Sequence, residues 1–122
     1  MNAEVEAARN ALWTETAHAL AVALTMAEKG GEPAHARALL ESVAYCLRNA
    51  GLWEAGMDPL FEVAIDKIAG PPVTEPPFPI SLETFRAVAT AAAAYASALG
   101  GEEQGTAAWH AFIPERRSVS SG

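Results

Sequence analysis

The chain has 122 residues, a formal net charge of −7 and a hydrophobic share of 51%, which suits one domain with a substantial core and excludes a disordered chain. Its basic residues are scattered singly, apart from adjacent Arg116 and Arg117, so it lacks the basic face that nucleic acid or an anionic membrane requires. Alanine dominates the hydrophobic share, and alanine is the best helix former and a poor strand former; the composition points to an all-α fold.

The first helix is predicted over Ala3–Lys29, with Asn2 as cap and Gly30-Gly31 as stop. Val5, Leu12, Trp13, Thr16, Leu20, Ala23, Leu24 and Ala27 form a broad stripe at helical spacing, with Thr14, His18, Ala21, Thr25 and Glu28 opposite. The opening residues Met1–Asn10 carry acids where a signal peptide carries bases, and no apolar run follows. The second helix is predicted over Pro33–Ala50, because proline is tolerated at the first helical position. Ala36, Leu39, Leu40, Val43, Leu47 and Ala50 share one face, and Gly51-Leu52 predicts a Schellman end with the leucine folding back. The single cysteine, Cys46, cannot form an internal disulfide, so a reducing compartment, the cytoplasm, is expected.

Leu52, Trp53 and Met57 form an apolar connector. The third helix begins at Asp58-Pro59, buries Leu60, Phe61, Ala64, Ile65 and Ile68, and is ended by Gly70-Pro71-Pro72. Proline removes backbone donors, so Pro71–Pro79 predicts a stiff polyproline II crossover. Ile80, before the cap Ser81, staples to Phe85. The fourth helix then runs to Gly100, with Phe85, Val88, Ala92, Tyr95 and Leu99 as its larger-residue stripe.

No charge falls between Arg86 and Glu102. Where a polar stripe belongs stand only Ala87, Thr90, Ala91, Ala94 and Ser97, so the fourth helix is expected at the bundle centre or against a partner. It is too short and alanine-rich to span a bilayer, which takes about 20 strongly apolar residues. A last short helix is predicted over Ala107–Phe112, capped by Thr106 and stopped before Pro114. The expected architecture is a compact bundle of four main helices plus a short C-terminal helix, with the Pro-rich crossover between the third and fourth. Residues 1–113 form one domain and 114–122 a polar tail.

Two Glu-x-x-His motifs, Glu15–His18 and Glu32–His35, have the spacing that holds paired metal ions in di-iron bundles, with Glu62 and Glu83 as the further carboxylates. His18 falls on the polar side of its helix and Glu32 at a helix cap, so both motifs read first as exposed pairs. Cys46, beside Val43 and Leu47, reads as a small core residue. His110, next to Trp109, reads as an edge residue. No Gly-rich phosphate loop is present, and Pro76–Pro79 matches PxxP without a nearby basic residue.

The sequence therefore predicts a non-enzymatic protein–protein interaction module without a cofactor. It would be a homo-oligomer, or a small subunit or adaptor bound to other protein subunits. The expected interface comprises Trp53, Ala87, Thr90, Ala91, Ala94, Ser97, Trp109, Phe112, Arg116 and Arg117. Two alternatives stand beside it: a di-iron-like oxidoreductase using Glu15, His18, Glu32 and His35, and a ligand binder with a pocket among Trp13, Tyr45, Phe85, Tyr95 and Trp109.

Overall fold

A computed structural model describes residues 3–29, 33–68 and 83–113. The expected cap Asn2, the Gly30-Gly31 stop, Glu32, the Pro-rich crossover, the Ile80 staple, the Ser81 cap and the tail with Arg116 and Arg117 lie outside these residues. The described chain is all α-helical: α1 Ala3–Glu28, α2 Pro33–Asn49, α3 Met57–Ile68, α4 Glu83–Gly100 and α5 Glu102–Phe112. The helices pack on one another as a compact bundle, and none is long and apolar enough to cross a membrane.

The core line of α1 is Leu12, Thr16, Ala19 and Ala23. Leu20 and Leu24, at the middle of the expected stripe, are only half-buried, while Ala19 is fully buried. The small side chains at Ala19 and Ala23 let a neighbouring backbone come close, so burial follows the alanines rather than the leucines. Helix α2 is buried along most of its length, through Ala36, Leu39, Leu40, Ser42, Val43, Ala44, Cys46 and Leu47. It touches each of the other four helices, while the charge-free α4 packs most extensively against α1 and α5.

The end of α2 is the Schellman motif its sequence predicts. Gly51 takes φ +75°, the Gly51 N–H donates to the Arg48 carbonyl at 3.0 Å, and the Leu52 N–H donates to the Leu47 carbonyl at 2.9 Å. Leu52 folds back into the core. Helix α3 packs against α1 and α2 and touches neither α4 nor α5 among the described residues. Only one stripe of it is therefore covered: Met57, Phe61, Ala64 and Ile68. Leu60, expected in the core, is 45% exposed.

Helices α4 and α5 form a hairpin around one residue. Gly101 adopts φ 101°, ψ 174°, a region essentially closed to residues with a Cβ. The chain reverses there at once, so α5 begins at Glu102 rather than Ala107. Glu102 and Glu103 place negative charge at its positive end. Thr106, expected as a cap, lies inside α5 and donates from its hydroxyl to the Glu102 carbonyl at 3.1 Å.

The seam of this hairpin is very close. A Cβ built on Gly105 would lie 2.8 Å from Ser97 Cβ and 2.9 Å from the Ala93 carbonyl oxygen. Ser97 and Ala93 are small because the backbone of α5 lies against them. At the other end, Phe112 meets Phe85 with ring centroids 5.6 Å apart.

Candidate functional site

The connector between α2 and α3 gathers groups of opposite character. Its adjacent residues Glu54 and Trp53 engage different partners. Glu54 faces α1, where Arg9 Nε donates to Oε2 at 2.9 Å and Arg9 Nη2 donates to Oε1 at 2.6 Å. The Trp13 indole N–H donates to the same Oε1 at 3.2 Å. The Trp13 ring also lies over Gly56, where a Cβ would come 3.3 Å from its Cη2 atom. The Arg9 hydrogen bonds hold the Glu54 carboxyl below its ordinary range, and the Trp13 bond adds to them. In return, Glu54 raises the Arg9 guanidinium.

Trp53 faces the cleft between α2 and α3. Its indole N–H donates to Asp58 Oδ1 at 3.0 Å. The Arg48 guanidinium sits 4.3 Å from the ring centroid, and Arg48 Nη2 lies 3.6 Å from Asp58 Oδ1. Phe61 meets Trp53 with ring centroids 5.1 Å apart and planes tilted by 58°. Beyond this closed end runs an open groove of about 470 Å³. Glu41, Ala44, Tyr45 and Arg48 form its α2 wall, and Asp58, Phe61, Glu62 and Ile65 its α3 wall. Tyr45 is 37% exposed. Glu41 also takes a hydrogen bond from Arg37 Nε. The result is an aromatic floor with a charged rim.

The expected interface residues separate into several places. Trp53 lines this groove and is half-buried. Phe112 and Ala91 leave the candidate surface, because both are buried in this chain's own core. Ala94, Ser97 and Trp109 line a shallow furrow between α4 and α5, and the Arg86 guanidinium lies 5.9 Å from the Trp109 ring centroid. Thr90 is exposed and donates from its hydroxyl to the Arg86 carbonyl at 3.0 Å. Ala87 is half-buried.

The other sites are also scattered. His18 and His35 are exposed and Glu15 is half-buried, while the interior line of α1 holds leucine, threonine and alanine. Among the described residues, no three His, Cys, Asp or Glu side chains come together in a metal-binding group. Among the described residues, the aromatics of the expected ligand pocket stand in different places. Phe85 and Tyr95 are core residues, Tyr45 lines the α2–α3 groove, Trp109 lines the α4–α5 furrow and Trp13 packs on the connector. Cys46 is fully buried, and burial pushes its thiol up to about 11, the opposite of what a nucleophile needs. His110 lies at the end of α5, with Nδ1 3.4 Å from the Ile113 carbonyl oxygen.

Sequence reasoning missed Glu54 as part of the candidate site. Glu54 bonds across 45 and 41 positions, and no local pattern announces such a pair. Tyr45 was expected in a pocket, but with other neighbours; it lines the α2–α3 groove. No known protein-family model matches the chain, and no curated protein or solved structure does so either.

Proposed function

We propose that this protein is a non-enzymatic interaction module that works by binding protein chains, as a homo-oligomer or as a small subunit of a larger assembly. The observation that carries this reading is the α2–α3 groove. A helix attached to the bundle by one stripe leaves an aromatic-floored cleft on one side and exposed Leu60 and Val63 elsewhere on its surface. Aromatic anchors ringed by polar groups are the usual centres of protein interfaces. Native mass spectrometry of the protein purified from its own cell, with partners retained, tests it. The expected result is a complex that Trp53→Ala weakens without unfolding the chain. A strictly monomeric, partnerless protein would refute it. Ala94→Arg probes the α4 face separately: Ala94 is exposed, so the fold tolerates the change, and a lost complex would add that face to the interface.

A further inference from the structure

We propose that the Arg116–Arg117 pair of a second copy of this chain docks in the α2–α3 groove, so that two chains exchange their 114–122 segments. The inference rests on the assembly reading and names the partner of that same groove. The groove walls carry Glu41, Asp58 and Glu62 against a single cation, Arg48. Arg48 is engaged at the closed end by Asp58 and the Trp53 ring. The uncompensated negative charge therefore lies at Glu62, on a groove that also carries the exposed ring of Tyr45. Glu41 already takes Arg37, whereas Glu62 forms no ion pair among the described residues.

Arg116 and Arg117 are the only adjacent cations in a chain of net charge −7. Arginine is also the side chain suited to such a cleft, because it binds a carboxylate with two parallel N–H donors and lies flat on an aromatic ring. The chain's own pair is badly placed to reach it. Helix α5 ends at Phe112, against Phe85. Helices α5 and α3 both touch α2 and, among the described residues, do not touch each other, so the separation between them is more than one and up to two helix spacings, about 10–20 Å. Arg116 follows Phe112 by four residues, a span of at most about 14 Å. At the upper end of that separation the chain's own pair would reach only with its side chains fully extended. A second copy delivers it without that constraint, and reciprocal exchange closes a symmetric dimer.

The test is a charge swap in the full-length chain, read by sedimentation velocity over a range of concentrations. One variant carries Glu62→Lys and the other carries Arg116→Glu with Arg117→Glu. Circular dichroism checks that each is folded, and Glu62 is exposed. Wild type is expected to dimerise, and each variant alone to dimerise at least about tenfold more weakly, the effect of losing a charge-assisted contact at both grooves. An equimolar mixture of the two variants restores the dimer, because each reversed groove then meets a reversed segment. A wild-type oligomer indifferent to both variants overturns the inference and leaves the assembly reading standing. So does a mixture that fails to associate. A wild type monomeric at every concentration also overturns the inference, and the native mass spectrum then decides the assembly reading by itself.

Discussion

Gly105→Ala probes a very close helix contact, and two opposing terms decide its effect. Alanine is favoured over glycine inside a helix by about 1 kcal/mol. Against this, the new methyl would sit 2.8 Å from Ser97 Cβ and 2.9 Å from the Ala93 carbonyl oxygen. Carbon atoms in contact prefer about 3.5–4.0 Å, so α4 and α5 must part by roughly 0.7 Å to admit it. A carbonyl oxygen in a helix backbone cannot rotate aside, which places the cost in the upper part of the usual overpacking range of about 1–3 kcal/mol. The net expectation is a loss of about 1–2 kcal/mol, with the overpacking term outweighing helix propensity. Gly100→Ala is the internal control: its Cβ would meet only the flexible Gln104 side chain, which can swing away, and the expected effect lies between neutral and a gain of up to about 1 kcal/mol. Urea unfolding followed by circular dichroism measures both. If Gly105→Ala is as stable as wild type or more so, the two backbones do not approach this closely and the account of the α4–α5 seam is wrong.

Thr16 Oγ1 and Ser42 Oγ are buried without a hydrogen-bond partner among the described residues, so Thr16→Val and Ser42→Ala should each raise stability by about 1 kcal/mol in the same assay; a loss at either site would show that its hydroxyl is satisfied. Gly101→Ala forces a Cβ into the φ 101°, ψ 174° conformation and should cost about 1–3 kcal/mol, read as a lower melting temperature. Cys46 should resist a thiol reagent in the native protein and react on unfolding. Its thiol is raised to about 11 in the fold from an ordinary value of 9.0, so the native state holds its proton over that interval and the unfolded state does not. Stability should therefore fall as pH rises from about 9 toward 11, with Cys46→Ala flattening that part of the curve. Glu54 shifts the other way: the native carboxyl binds its proton less readily than the unfolded one, so its contribution is present above the ordinary carboxylate range and disappears as pH falls through the lowered native value. The Trp13 indole N–H resonance, which reports the Glu54 bond directly, should move in that acid window, and Glu54→Gln should abolish the movement.

The parts of the fold legible in the sequence are those set by local chemistry. Gly51-Leu52 predicted a Schellman end because only glycine takes positive φ readily and an apolar residue after it folds back; both features are present. Pro33 marked the start of α2 for an equally local reason. The errors arose where distant backbone decides. The charge-free face of α4 read as a sign of centrality or of an external partner, and α4 does pack extensively against α1 and α5, but the sequence did not show that at Ala93 and Ser97 the neighbour is α5 of the same chain, joined through Gly101. Gly105 looked like a loop residue, because the propensity rule carries no knowledge of a backbone 2.9 Å from its would-be side chain. Phe112 read as an interface anchor because its partner Phe85 lies at the far end of the preceding helix.

The candidate site was half legible for the same reason. Trp53 stood out by type, but what fixes it did not. Its ring is contacted by Phe61 and Arg48, and its indole N–H is held by Asp58. The next residue, Glu54, ties the same connector to α1 through Arg9 and Trp13. Surface ion pairs contribute little to stability individually, so this cluster is better understood as positioning than as glue. Clamping Glu54 on one side leaves Trp53 little freedom on the other, and a side chain already held in place loses less entropy when a partner closes over it. Glu54→Gln therefore separates the two roles: it keeps the side-chain shape while loosening the clamp. If the groove binds a protein segment, that variant should weaken binding while leaving the melting temperature nearly unchanged, whereas a purely structural clamp would lower the melting temperature and spare the affinity.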